Sequence, residues 1–306
     1  MKLPARCQTV HLAEWMLLLV AIAWGSSYSI AKHAVTFYPV LGFLCIRFGL
    51  TFLLTSPAFL RLHRTDKARA LKVGMPSGMI LLAIFVCETF GVAQTSASNA
   101  AFLINLCVVI TPFVEWGLLK RTPSGRERAA VLVSAVGALL ITLNGGFSSI
   151  GTGDVLILAA ACLRALMVCA TKWLTRDNAV SPLALTSIQS LSVGIGSGIG
   201  GILFFGHGMA ALPHEASFWL CTVYLVLVCT VFAFFAQNVA VQKIDPTRVS
   251  LLMGTEPVFG AVFACVWLHE SVPMLSWLGG GLVVASALFV TVGPKALGPR
   301  PAPVLD

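Results

Sequence analysis

Apolar residues fall into ten blocks along this chain, separated by short polar stretches. The blocks cover approximately 12–31, 40–60, 73–93, 98–118, 128–144, 154–174, 183–205, 217–237, 248–268 and 275–292. Each is close to the ~20 apolar residues a helix needs to cross hydrocarbon. The pattern predicts an all-α membrane protein with ten transmembrane helices. The start, Met1-Lys2 with Arg6 ahead of an apolar run, has the look of a secretory signal. Its run is long for one, however, and no A-x-A site closes it. We read it as the first span.

The blocks read twice. Shifted by about 140 to 150 residues, Glu14 falls on Asp154, Trp24 on Arg164 and Lys32 on Lys172. Further on, 102–107 falls on 251–256, Glu88 on Gln237, and Leu119-Lys120-Arg121 on Leu268-His269-Glu270. The loop after the first of these last triplets is basic (Lys120, Arg121, Arg126, Arg128). Its equivalent, His269 to Pro273, has no Lys or Arg. Basic loops stay cytoplasmic, so equivalent loops of opposite charge lie on opposite sides. The expected architecture is two inverted five-helix repeats, 1–146 and 147–306, within one membrane domain. This arrangement is typical of secondary transporters.

With the N-terminus in the cytoplasm, all but Lys32, Arg47 and Arg164 of the 20 Lys and Arg fall on the cytoplasmic side. Both termini are therefore expected there. The outer loops read as turns, with Asn144-Gly145-Gly146 joining the repeats and Gly206-His207-Gly208 after the seventh span.

Composition agrees. Hydrophobic residues make up 58% and charged residues 10%, with a mean hydropathy of +0.91. Soluble domains carry about 25% charged residues. The net charge of +8 belongs to loops between spans, where it orients the chain and meets anionic headgroups, so it does not point to nucleic acid. None of the nine cysteines forms C-x-x-C and eight lie in apolar runs, so neither a disulfide framework nor a metal or cofactor site is expected.

Three patterns bear on chemistry. Gly196-Ser197-Gly198-Ile199-Gly200-Gly201 fits G-x-G-x-x-G but sits inside an apolar span, where close helix packing or a flexible point explains it better than phosphate binding. No H-E-x-x-H or G-x-S-x-G occurs, and all six histidines fall in loops or at span ends, so no enzyme is expected. The third pattern is a set of interior polar residues: Arg47, Glu88, Glu115, Arg164 and Glu256. A charge at the bilayer centre costs about 3 kcal/mol or more, so these face one another or a cavity. Pairing of Glu88 with Arg47 or Arg164 would merely lock helices together. A polar cavity would instead bind a charged or zwitterionic solute. Glu115, about a turn from Lys120, is expected to reach toward cytoplasmic cations. Trp24 and Tyr28, spaced i, i+4, share a face that is either packing or cavity wall. The candidate substrate-binding set is Trp24, Tyr28, Arg47, Glu88, Asn105, Arg164, Gln237 and Glu256.

The chain resembles ten-helix EamA-type members of the drug/metabolite transporter superfamily over roughly residues 10–293. The matching pieces are Ala23-Trp24-Gly25-Ser26-Ser27-Tyr28, Pro39, Ile46-Arg47-Phe48, and Thr95 through Leu103. The second half offers Gly153-Asp154-Val155, Glu256-Pro257-Val258-Phe259 and Leu268-His269-Glu270. The resemblance implies a transporter in the inner membrane, exporting amino acids or related metabolites by alternating access from a central cavity. Arg164 stands where such proteins usually place Trp or another neutral residue, which hints at an anionic or carboxylate-bearing solute. Expected partners are a small organic solute, lipid and, as a coupling ion, protons, in a monomer or a homodimer joined through Ser134, Gly137 or Gly281. Two alternatives remain: a carrier of phosphorylated or nucleotide-linked solutes, and a membrane scaffold with fully paired interior charges and no cavity.

Overall fold

A computed structural model describes residues 5–95, 100, 103–143, 151–178, 180–205, 212–267 and 274–292. These residues are helical with short connections, and no strand occurs among them. In chain order the helices are α1 Ala5–Ala34, α2 Val40–Leu60, α3 Arg64–Gln94, α4 Cys107–Leu119, α5 Gly125–Leu143, α6 Thr152–Thr175 and α7 Pro182–Phe205. They continue as α8 Ala216–Lys243, α9 Pro246–Met253, α10 Glu256–Trp267 and α11 Met274–Val292. Six helices (α1, α2, α3, α6, α7, α8) are long and apolar enough to cross a membrane. Shorter apolar helices occupy Leu103–Leu119 and Trp277–Thr291.

Helix ends depart from the apolar blocks in an informative way. α3 begins at Arg64, well ahead of the block, and winds a basic stretch (Arg64, Lys67, Arg69, Lys72) into its first turns. Hydropathy marks where a helix meets lipid, not where its hydrogen bonds begin. The ninth block, expected as one span, is two helices. α9 stops at Met253 and α10 restarts at Glu256. Pro257 at the second position of α10 has no N–H to give to Met253, and its ring crowds that turn. The equivalent point of the first repeat, Leu106, is also irregular, falling between a helical turn at 103–105 and α4.

Three helices pack antiparallel on their own repeat equivalents. Along α2 and α7, Gly194 lies beside Gly49, Gly198 beside Cys45 and Gly200 beside Leu41. A Cβ on Gly198 would stand 3.2 Å from the Cys45 sulfur, so the glycine pattern of α7 is a packing seam, as expected. α4 meets α9 through Thr111 and Ser250 hydroxyls 2.8 Å apart. α5 meets α11 where a Cβ on Gly137 would lie 2.6 Å from the Gly279 carbonyl, and Arg126 Nε donates to Phe289 O at 2.8 Å. Gly137 and the buried Ser134 thus face the inside of this chain, while Gly281 meets open space.

Without water around the helices, this close contact supplies association that hydrophobic burial cannot. The outer surface is correspondingly apolar: Leu53, Phe113, Leu132, Leu203 and Leu220 are all highly exposed. Trp15, Trp116 and Trp173 also project outward near the helix ends predicted to be cytoplasmic, the level of an interfacial aromatic belt. The protein is a multi-pass membrane protein. Cys45, Cys87, Cys107, Cys162, Cys169, Cys221 and Cys229 are free thiols.

Candidate functional site

Two irregular helices shape the middle of the bundle. α8 contains a π turn, Leu227–Phe232. A π turn shifts hydrogen bonds from i−4 to i−5 and leaves groups free to point sideways. Thr230 Oγ1 donates to the i−5 carbonyl of Leu225 at 2.7 Å. The Cys229 carbonyl accepts the Trp24 indole N–H at 2.9 Å, and Thr230 Oγ1 accepts Arg47 Nε at 2.9 Å. The second irregularity is the α9–α10 break, which sets Glu256 in the first turn of α10, where a helix N-terminus favours a carboxylate. Its tight approach to α1 needs Gly25: a Cβ there would lie 2.8 Å from the Glu256 carbonyl.

Arg164, from the middle of α6, reaches into this space. Its Nη1 lies 3.2 Å from Glu256 Oε2 and its Nε 3.8 Å from Glu88 Oε2. Its Cζ stands 4.7 Å from the centroid of the Trp24 ring. Glu256 Oε1 and Glu88 Oε2 are buried without a hydrogen bond among the described residues. Tyr28, one turn beyond Trp24, is buried close to Glu256, Arg164 and Glu88.

A cleft in two chambers surrounds this cluster. Trp24, Glu88, Asn105, Arg164, Gln237 and Glu256 line the first, together with Phe85, Ser250 and Pro257. Trp24, Tyr28, Lys32, Arg47, Phe85, Glu88 and Arg164 line the second. All eight residues singled out from sequence therefore face the cleft. The anticipated Arg164 pairing is present, chiefly with Glu256. Arg47 has no carboxylate within 4 Å among the described residues; it lies 5.2 Å from the Phe85 ring and 5.5 Å from the Phe48 ring. No three described His, Cys, Asp or Glu side chains gather as metal ligands would. Sequence reasoning missed Thr230, Cys229 and Phe85. A threonine and a cysteine in an apolar run carry no signal of a π turn, and Phe85 reads as lipid-facing or core alike.

The ends of the bundle differ. At one, Lys32 Nζ, in the lining of the second chamber, donates to Thr95 O at 3.0 Å. At the other, Arg121 meets Glu115 at 2.8 Å, Glu127 at 2.9 Å and Asp245 at 3.1 Å. Burial opposes the charge of Arg121, but Asp245, Glu115 and Glu127 outweigh it and hold its pKa above the ordinary value. Glu115 also accepts the Thr247 N–H at 3.1 Å and the Thr247 hydroxyl, capping α9. Its cationic partner is thus Arg121; Lys120 instead ends α4 in a left-handed conformation. Lys172 caps the end of α8 through the Gln242 and Ile244 carbonyls, each at 3.2 Å. Arg248 ties α1 and α11 to α9, meeting Glu14 at 3.1 Å and the Val290 carbonyl at 2.6 Å.

The EamA-like transporter family model matches the chain twice, over residues 11–143 and 151–292. An uncharacterized transporter of Archaeoglobus fulgidus is 24% identical over 92% of this chain and 86% of its own. A protein of Streptantibioticus cattleyicolor named "Probable terminal-alkyne amino-acid exporter" is 25% identical over 91% of this chain and 93% of its own. The inner membrane transporter YedA of Escherichia coli, itself uncharacterized, is 23% identical over 95% and 94%. A solved structure described as "Crystal structure of protein" shares the fold with a TM-score of 0.73 at 16% identity, covering 92% of this chain and 96% of that one.

Proposed function

Since the chain belongs to the EamA-like transporter family, within the drug/metabolite transporter superfamily, we propose that it exports amino acids or related small metabolites across the inner membrane. It works by alternating access between two inverted five-helix repeats, 1–146 and 147–306, with ten spans and both termini in the cytoplasm. The antiparallel contacts of α2 with α7, α4 with α9 and α5 with α11 support the inversion, because a two-fold axis in the membrane plane brings equivalent helices together head to tail.

The observation that carries the reading is the central cluster of Trp24, Glu88, Arg164 and Glu256 at the wall of a cleft. With Arg47 it presents two cations and two carboxylates, a complement suited to a zwitterion. Arg164 is already engaged by carboxylates, which leaves little cation for a doubly charged phosphate and weakens the phosphorylated-solute alternative. A cleft with an uncommitted arginine equally weakens the scaffold alternative. The name of the Streptantibioticus relative points to amino acids as well.

Lys32, in the lining of the second chamber, sits at the end of α1 that the loop charges put outside, so we read this state as outward-facing. The ion pairs of Arg121 and Arg248 hold α1, α4, α5, α9 and α11 together at the cytoplasmic end, and transport requires them to part. The deciding experiment is counterflow into proteoliposomes of labelled amino acids, organic acids and amines, with and without a pH gradient. Saturable exchange of amino acids is expected. Exchange confined to phosphate esters, or none across the panel, would overturn the proposal.

A further inference from the structure

Arg47 is the buried cation that the central cluster leaves over. Arg164 has two carboxylates and an aromatic face. Arg47, on α2, has a single hydrogen-bond partner among the described residues, the Thr230 hydroxyl, which takes its Nε and leaves both terminal nitrogens uncommitted. It is only 4% exposed, with two phenyl rings about it, and it lines the second chamber. A desolvated guanidinium with no carboxylate within 4 Å among the described residues is costly, and its best geometric match is a planar carboxylate taken by two parallel N–H bonds. Glu88 lies on the wall common to both chambers, its Oε2 held only at 3.8 Å by Arg164 Nε. Lys32, which lines the same chamber, adds a second positive charge.

We propose that Arg47 is the anion subsite of this cleft: it takes the carboxylate of a small monocarboxylic or zwitterionic solute, and Glu88 faces the ammonium group when there is one. Arg164 then serves to hold Glu256 and Glu88 in place and does not grip the substrate carboxylate. This deepens the transporter reading and rests on it for the solute's passage. The subsite is also testable without transport.

The test uses the full chain in lipid nanodiscs, with propionate as the probe and chloride at equal ionic strength as the reference. Propionate should raise the thermal midpoint of the wild type above the chloride value. Arg47→Gln should abolish that rise, and Arg47→Lys, which keeps the charge but loses the fork, should weaken propionate binding by about tenfold to a hundredfold. An equal rise in Arg47→Gln, or none in the wild type, would overturn the proposal. Where Arg47→Gln does not fold, phenylglyoxal labelling of the wild type read by peptide mass spectrometry decides instead. Propionate should protect Arg47 specifically, and unprotected modification there would overturn it. Propionate binding at Arg47 without any solute exchange in proteoliposomes would sink the exporter reading while the subsite stands.

Discussion

The guanidinium of Arg164 stands 4.7 Å over the ring of Trp24, and the two residues occupy equivalent positions of the two repeats. What one repeat supplies as an aromatic face the other supplies as a cation, and they meet at the centre of the bundle. The duplication has thus been made asymmetric at the point where it folds back on itself. Trp24 is in turn fixed by its bond to Cys229 in the π turn.

Removing Arg164 should be costly. Arg164→Ala leaves Glu256 buried beside Glu88 with no cation, a loss of about 3 to 5 kcal/mol by the usual cost of breaking a buried pair. A thermal-stability cycle should show Arg164→Ala with Glu256→Gln recovering much of that loss. Additive effects of the two substitutions would mean that the 3.2 Å pair does not couple them.

Glu88 is held more loosely, at 3.8 Å from Arg164. Glu88→Gln should therefore fold with a midpoint near that of the wild type. If this carboxylate carries the coupling proton, the variant should lose the dependence of solute exchange on an imposed pH gradient. Counterflow that still accelerates with the gradient would remove Glu88 from the coupling step.

Parting the cytoplasmic end should be easier once Arg121 loses Asp245. In a cysteine-free background carrying Ser250→Cys, the further change Asp245→Asn should speed labelling by an impermeant thiol reagent in inside-out vesicles. Both side chains are partly exposed, so little change in midpoint should accompany it. Unchanged labelling would mean that the Arg121 cluster does not hold this end shut.

The loop charges predict an orientation. Single cysteines at His214→Cys and Ser124→Cys should react with an impermeant reagent from outside and inside the cell, respectively. Labelling of position 124 from outside would reverse the topology and undo the inverted-repeat argument.

The apolar blocks were enough to determine a helical membrane protein, because lipid imposes a length rule that acts residue by residue; the family was legible only through short motifs such as Ala23 to Tyr28 and Glu256 to Phe259. Six of the eight candidate site residues stood out as a charge or amide inside an apolar run and Trp24 and Tyr28 by their i, i+4 spacing; the fold lines the cleft with all eight, and their role in binding is a proposal. Tertiary structure decided which cation met which carboxylate. Arg164 and Arg47 look alike in sequence, each a lone arginine mid-span. Only packing gives one of them two carboxylates and an indole and leaves the other against phenyl rings and a threonine. The π turn of α8 and the break between α9 and α10 belonged to tertiary structure as well. Their surroundings are set by distant partners: Trp24 on the Cys229 carbonyl and Arg47 on the Thr230 hydroxyl in the first case, and the close approach of α1 at Gly25 in the second, and hydropathy along a chain does not register partners two hundred residues away.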